Sequence, residues 1–282
     1  MNLFLLKVIN KLGLLNYFNF KVKRVFNKKL FNIPMQGRIG LSNVFMTEVW
    51  MIKLLDMIIP LNNGVFIDVG VNSGQTLIKL KSIDEAFPYI GFEPNPVCVY
   101  YVQSLIEHNR LRDVTLIPIG LSDQTSIGEI NYFQEGETDS TASIIPEFRP
   151  DQKVLRKEYI PIFNFQFLKN ILTDKKIGFL KIDVEGAELE VIRCFEELIN
   201  KDFPFILIEI LPVYSIDNSE RLNRQNEIQK ILKQADYSIH RVIKLGEQLE
   251  SLEKVEDIGI HSDLNLCDYL CVPKTKENLL KD

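Results

Sequence analysis

Residues 64–76 read Gly64-Val65-Phe66-Ile67-Asp68-Val69-Gly70-Val71-Asn72-Ser73-Gly74-Gln75-Thr76. A short apolar run ends in an acid, a turn of small residues follows, and a helical segment opens at Gln75 and runs to Lys81. This is the order of a buried strand, a loop and a helix in a nucleotide-type α/β sheet. Glycines in such a loop let the backbone approach a ligand and adopt positive φ at low cost. Asn72 is one of the few other residue types that tolerate such φ. The free N–H groups of the following helix attract a carboxylate or phosphate. The dinucleotide fingerprint G-x-G-x-x-G fits poorly, because its second and third glycines fall on Asn72 and Gln75. Asp68 at the strand end suits a cationic group such as an α-amino group. An amino group at Asp68, a carboxylate on the helix end (Gly70, Asn72, Ser73, Gly74) and a ribose further along describe S-adenosylmethionine. The plainer reading of this segment alone is a strand, a turn and a capped helix.

A second acid favours the ligand. Tyr89-Ile-Gly-Phe-Glu-Pro-Asn95 reads as a short buried strand ending in Glu93. Pro94 stops the strand because it has no N–H for the ladder. Glu93 lies about 20–25 residues past the glycine loop, where an acid commonly bonds ribose hydroxyls. Val114 to Ile119 is a third apolar run, followed by Gly120-Leu121-Ser122-Asp123. There Leu121 is expected to pack on the adenine and Ser122 or Asp123 to bond its amine, unless the segment is a simple turn. Ile177-Gly-Phe-Leu-Lys-Ile-Asp183 is a strand, with Glu185-Gly186 opening a helix through Arg193 to Leu198. Phe205 to Ile210 is a further buried strand carrying Glu209.

Together, Phe66-Ile-Asp-Val-Gly-Val-Asn-Ser-Gly74, Gly91-Phe-Glu-Pro-Asn-Pro96, Leu121-Ser-Asp123, Leu180-Lys-Ile-Asp-Val-Glu-Gly-Ala-Glu188 and Ile208-Glu-Ile210 resemble the FkbM-type S-adenosylmethionine-dependent methyltransferases. The resemblance covers roughly residues 45 to 275, and its most specific part is Lys181 to Glu188. It implies a class I methyltransferase (Rossmann-like) α/β fold: a seven-stranded, mostly parallel sheet with helices on both faces and one antiparallel strand near the end. It also implies O-methylation of a hydroxyl on a sugar, glycolipid or polyketide. Ser140-Thr-Ala-Ser143 resembles the family's Ser-rich loop near the cofactor. Tyr159 to Leu168 lacks the Leu-Asp pair often found before the fourth strand, which leaves the acceptor side less well defined than the cofactor side.

The polar residues expected at the strand ends are Asp183 and Glu209. Asp183 is the candidate base, with Glu209 orienting the acceptor or sharing the role. Lys181 shares a strand face with Asp183 and is costly to bury unpaired, so a partner in Asp183 or Glu209 is expected. Asp183 and Glu185 could instead only cap the next helix. A variant with Asp183 and Glu209 as oxygen ligands of Mg²⁺ is a further alternative, although no metal is assigned.

Composition frames these readings. The chain has 282 residues, 46% hydrophobic and 25% charged, with a net charge of -5. That is an ordinary globular composition, and the charge argues against nucleic-acid binding. No repeat or Gly/Ser-rich linker divides it. Residues 46–282 are expected to form the methyltransferase domain and residues 1–45 a basic, partly helical extension. Up to residue 47 there are eight basic residues (Lys7, Lys11, Lys21, Lys23, Arg24, Lys28, Lys29, Arg38) and no acid. Leu3, Leu6, Ile9 and Leu12 recur at helical spacing, so this segment either docks on the domain or a partner, or lies on an anionic membrane surface. Lys7 and Lys11 interrupt any signal-peptide core, and no run approaches the ~18 apolar residues of a membrane span. A cytoplasmic protein, peripheral to the membrane at most, is expected. Cys98, Cys194, Cys267 and Cys271 do not suggest a disulfide framework. His108, His240 and His261 are dispersed, His240 alone falling near acceptor-side strands.

Two other classes share the fold. A nicotinamide-dependent nucleotide-sugar oxidoreductase is opposed by the absent glycine fingerprint and by the lack of a Tyr-x-x-x-Lys motif. A non-catalytic cofactor-binding subunit is opposed by the intact Asp68, Glu93 and Asp183.

Overall fold

The computed structural model describes residues 3–134, 138–139, 141–145, 151–172 and 174–280. The chain opens with α1 (Leu3–Lys11), a 3-10 turn (Leu14–Tyr17) and an antiparallel hairpin of β1 (Asn19–Phe26) and β2 (Lys29–Gln36). Helices α2 (Leu41–Phe45) and α3 (Trp50–Ile58) follow. The alternating unit is β3 (Val65–Val69), α4 (Gln75–Ile83), β4 (Tyr89–Phe92), α5 (Pro96–Asn109) and β5 (Val114–Ile117). A side sheet consists of β6 (Gly120–Leu121), β7 (Ser126–Tyr132) and β8 (Arg156–Phe163). The chain then runs through α6 (Phe165–Leu172), β9 (Ile177–Ile182), α7 (Glu188–Asp202), β10 (Phe205–Glu209), α8 (Ser219–Gln234), β11 (Tyr237–Leu245), β12 (Gln248–Val255) and β13 (Asp268–Pro273).

The main sheet has the order β12-β11-β13-β10-β9-β3-β4-β5. Strands β10, β9, β3, β4 and β5 are parallel, and β13 inserts antiparallel between β10 and β11. The expected α/β class and mostly parallel sheet are present, but among the described residues the sheet has eight strands rather than seven. The extra one is β12, in a polar and acidic stretch after β11. It folds back on β11 after a turn in which Gly246 holds φ +59°, and it is an edge strand with only Leu249 buried among its apolar residues. A polar strand of this kind carries no alternation strong enough to read from sequence.

Strands β3, β9 and β10 are apolar almost throughout because helices cover both faces. One face carries Ile67, Leu180, Ile182, Ile206 and Ile208 against α6, α7 and α8. The other carries a row of rings across four strands against α3, α4 and α5: Tyr89, Phe66, Phe179 and Phe205, with successive centroids 6.1, 6.0 and 5.8 Å apart. The core fixes the strands rigidly, so the loops at their C-terminal ends, where ligands of such sheets bind, hold fixed positions.

The N-terminal segment is more than a helix. The hairpin β1–β2 packs Val22, Phe31, Ile33 and Met35, together with Leu6 of α1, against Ile78 and Leu105 of the sheet-covering helices. Asn109 clasps the hairpin, accepting from Asn32 N–H at 2.7 Å and donating to its carbonyl at 2.9 Å.

Candidate active site

A cavity of about 670 Å³ opens at the C-terminal ends of β3, β4, β9 and β10. That volume is within the range of small-ligand sites. Gly70 forms part of its wall at φ +88°, and a Cβ there would lie 1.8 Å from the Asp183 carbonyl oxygen. Only glycine lets the β3 loop and the end of β9 approach so closely. Asn72 takes φ +48°, as its residue type permits.

Glu93 is buried beneath this loop. Its carboxylate accepts from Asn72 N–H at 2.6 Å and from Asn95 N–H at 2.8 Å. Burial outweighs these bonds and raises its pKa to about 7. Two N–H donors occupy one lone pair on each oxygen and leave others for a ligand. Asn95 caps α5, accepting from Val97 N–H at 2.9 Å and Cys98 N–H at 3.4 Å. Asn72, Ser73, Glu93, Pro94, Asn95 and Leu121 all line the cavity. Gly74 does not; it takes φ +78° at the start of α4 and sets that helix against Val102 and Leu105.

The other end of the cavity holds a charged chain. Lys181 Nζ lies 3.0 Å from Asp183 Oδ2 and 3.6 Å from Asp68 Oδ1. Burial works against the Lys181 ammonium, but the two carboxylates keep its pKa raised. Burial would push the Asp183 carboxyl up; the Lys181 charge and hydrogen bond pull it below the ordinary range. Glu209 shares a hydrogen bond with Asp183, and burial followed by the Asp183 charge holds its pKa well above normal. Glu209 is therefore the protonated partner and donates to an ionised Asp183.

Several expected roles are placed differently. Asp68 is fully buried and does not line the cavity; it accepts from Tyr89 hydroxyl at 2.6 Å and faces Lys181. It acts on the site through Lys181 rather than from the wall. Burial raises its pKa despite Lys181. Ser122 and Asp123 also miss the cavity: Ser122 donates to Asp123 at 3.2 Å, and Asp123 lies 3.8 Å from Arg193 on α7. The turn after β6 points them to the outer side of α7. Lys181 pairs with Asp183 and Asp68, the second of which was not anticipated. Glu185 and Gly186 hold φ +51° and +111° and precede α7, which begins at Glu188, rather than opening it. His240 is on β11 away from the cavity, beside Ser238 at 3.2 Å and Glu277 at 3.6 Å.

Ser140 lies outside the described residues. Its neighbours take part in the site: Ser143 donates to the Glu185 carbonyl at 2.6 Å, and Asp139 and Ala142 line the cavity. Among the described residues, no group of three or more His, Cys, Asp or Glu side chains is arranged to hold a metal ion.

Several contributors carried no signal in the sequence. Arg38 to Ser42, Thr47 and Glu48 form one wall. Asn43, fully buried, donates to the Ser73 carbonyl at 2.6 Å and to Tyr101 hydroxyl at 3.1 Å. Glu48 at φ +53° pairs at 3.0 Å with Lys79, a completely buried lysine of α4. Lysines are seldom buried unless paired, and neither partner lies in a motif.

Comparison with known proteins now bears on this geometry. The description "Methyltransferase FkbM domain" matches residues 68–239. The chain belongs to the FkbM methyltransferase family. It is 26% identical over 162 residues to Methyltransferase sdnD of Sordaria araneosa, covering 48% of this chain and 62% of that protein. It is 22% identical over 164 residues to Methyltransferase 1 of Beauveria bassiana (strain ARSEF 2860), covering 53% of this chain and 66% of that protein. The matched stretch thus spans less than two thirds of the length of either relative. Among solved structures, the methyltransferase FkbM from Methylobacillus flagellatus KT superposes with a TM-score of 0.46 at 16% identity, covering 74% of this chain and 43% of that one. The family motifs here are the loop of Asp68 to Gly74, Glu93, and the Lys181 to Glu188 turn. Those same segments build the cavity.

Proposed function

We propose that this FkbM family member transfers a methyl group from S-adenosylmethionine to a hydroxyl of a sugar, glycolipid or polysaccharide precursor. The observation that carries the reading is the juxtaposition, in one cavity, of a Gly70–Glu93 cradle with the Lys181–Asp183–Glu209 chain. The cradle fits the cofactor on three counts. Gly70 leaves room where a side chain would collide. Glu93 has lone pairs remaining for ribose hydroxyls. Ile119, Leu121, Ile130 and Cys98 supply apolar wall for an adenine.

When bound, the cofactor supplies an electrophilic methyl carbon. The protein's task is to hold the acceptor oxygen in line with it, and positioning can account for up to ~7–11 kcal/mol of barrier reduction. A hydroxyl that has accepted a methyl group becomes strongly acidic, so its proton can pass to a weak base late in the step. Asp183, kept ionised by Lys181 and held by Glu209, is that base; its low pKa suits a proton lost late.

The test is calorimetric titration of the purified chain with S-adenosylmethionine, S-adenosylhomocysteine and NAD(P)H in parallel. Binding of both sulfur compounds and of no nicotinamide is expected. Binding of a nicotinamide, or of nothing, would overturn the reading in favour of an oxidoreductase or a subunit without an active site. Acceptors are then screened with labelled methyl donor, and Asp183→Asn is expected to lose about 10²–10⁴ in rate while still binding the cofactor.

A further inference from the structure

We propose that α1 and the turn after it form a docking face for an anionic lipid bilayer. At ~100° per residue, Phe4, Leu5 and Val8 of α1 occupy one arc of about 100°, opposite the buried Leu6 that anchors the helix to the hairpin, and Leu12 just after the helix, its N–H donating to the Val8 carbonyl at 3.0 Å, continues that arc. Their side chains are exposed, and the apolar surface continues through Leu14, Tyr17 and Phe18. Leu12 is 65% and Tyr17 81% exposed. A cluster of exposed apolar side chains of this kind marks an interaction site.

Charge selects the occupant. Lys7 and Lys11 lie along one edge of the apolar arc, Lys7 with its ammonium 5.0 Å from the Phe45 ring centroid. On the hairpin, Lys21 and Lys23 alternate outward with Val25, whose cross-strand partner Leu30 is also exposed. All eight cations of residues 1–47 are unopposed by any acid in that segment, whereas all 38 acids and the other 25 of 33 basic residues lie beyond it. An apolar face edged by lysines, in a segment whose sequence carries no acid, matches anionic headgroups over acyl chains. The face also adjoins the site: Gly37 N–H donates to the Phe18 carbonyl at 3.2 Å, and the next residue, Arg38, lines the cavity. A docked molecule therefore holds its cavity rim against the bilayer. Among the described residues no helix is long and apolar enough to cross a membrane, so the contact is interfacial.

The full chain is tested by co-sedimentation with vesicles of phosphatidylcholine alone and of phosphatidylcholine with phosphatidylglycerol. Binding to the anionic vesicles, weakened by added salt, is expected, with little binding to neutral ones. Lys7→Glu with Lys11→Glu is expected to lower the affinity about tenfold or more. Leu12→Ser with Tyr17→Ser and Phe18→Ser is expected to do the same. Circular dichroism and cofactor titration confirm that each variant is folded. A wild-type chain left in the supernatant with both vesicle types would overturn the proposal and return the face to a protein partner. Equal binding to both vesicle types, or undiminished binding by either folded variant, would also overturn it.

Discussion

Replacing Lys181 by methionine keeps the stem in place and removes the ammonium between two carboxylates. The distances are 3.0 Å to Asp183 and 3.6 Å to Asp68. At an effective dielectric constant of ~20, each contact amounts to about 5 kcal/mol of Coulomb attraction. Two corrections reduce that sum. The lysine no longer has to be dehydrated, and the Asp183 side chain is a third open to the cavity, whereas Asp68 is sealed. Loss of one partner from a buried charge pair typically costs about 3–5 kcal/mol, and that is the expected destabilisation near neutral pH.

The pH dependence has a definite sign. In the native protein the Asp183 carboxyl sits below its ordinary 3.8, so its stabilisation is present above that value and is lost as pH falls through the lower folded value. Without Lys181 both carboxyls shift upward, and the folded state binds protons that the unfolded chain releases. Stability of the variant then falls as pH rises. The deficit against wild type is largest at about pH 8 and shrinks toward about pH 5. Urea unfolding followed by the fluorescence of Trp50, the single tryptophan and a buried one, measures it directly. A deficit below about 1 kcal/mol at about pH 8, or one equal at both pH values, would refute the buried-triad argument. Adding Asp183→Asn to the variant should recover part of the loss, since only Asp68 would remain uncompensated.

Two further outcomes follow from the cradle. Glu93, with its pKa raised to about 7, must be ionised to accept from two N–H groups and from ribose hydroxyls together; cofactor affinity should fall about tenfold between about pH 8 and pH 6, and Glu93→Gln should bind weakly with no such slope. A flat titration for the wild type would remove Glu93 from the ligand's contacts. Gly70→Ala places a methyl group 1.8 Å from the Asp183 carbonyl at a φ of +88°; the strand ends must separate, at a cost of roughly 1–3 kcal/mol, and cofactor affinity should drop at least about tenfold, an expectation contradicted by a calorimetric affinity close to that of wild type.

The parts legible in the sequence share one property: a mostly apolar run ending in an acid, broken only by Lys181 in the third of them. Val65 to Asp68, Tyr89 to Glu93, Ile177 to Asp183 and Phe205 to Glu209 are all of this form, and each delivers its acid to the same end of the sheet. What failed to show was chemistry that depends on long-range pairing. Lys79 and Lys81 look like solvent-facing residues of α4. In the fold Lys79 is sealed against Glu48, and Lys81 donates to the carbonyls of Glu85, Phe87 and Arg112 at 2.9, 2.8 and 2.6 Å. The side chain of Asp68 points toward Tyr89 because Phe66 and Tyr89 stack at the neighbouring register of β3 and β4, a relation between strands and not within one. Ser122 and Asp123 were placed at the adenine by order along the chain alone, and the short β6 with its side sheet turns them away.

Residues on both sides of the expected boundary near residue 45 build the same cavity. Arg38 to Ser42 lie before it and Thr47 and Glu48 after it, yet all face one cavity. Asn43 ties this wall to the cofactor loop through the Ser73 carbonyl, and Thr47 hydroxyl reaches Gln75 Oε1 at 3.1 Å. Without the wall, Lys79 would lose its only salt-bridge partner among the described residues, and the start of α4 would lose two tethers. The family match begins at residue 68, so it accounts for the cradle and the Lys181–Asp183 chain but not for this wall. The cradle and the charged chain lie within the matched residues, whereas Arg38 to Ser42, Thr47 and Glu48 precede them, so the cavity is completed by a segment outside the family match.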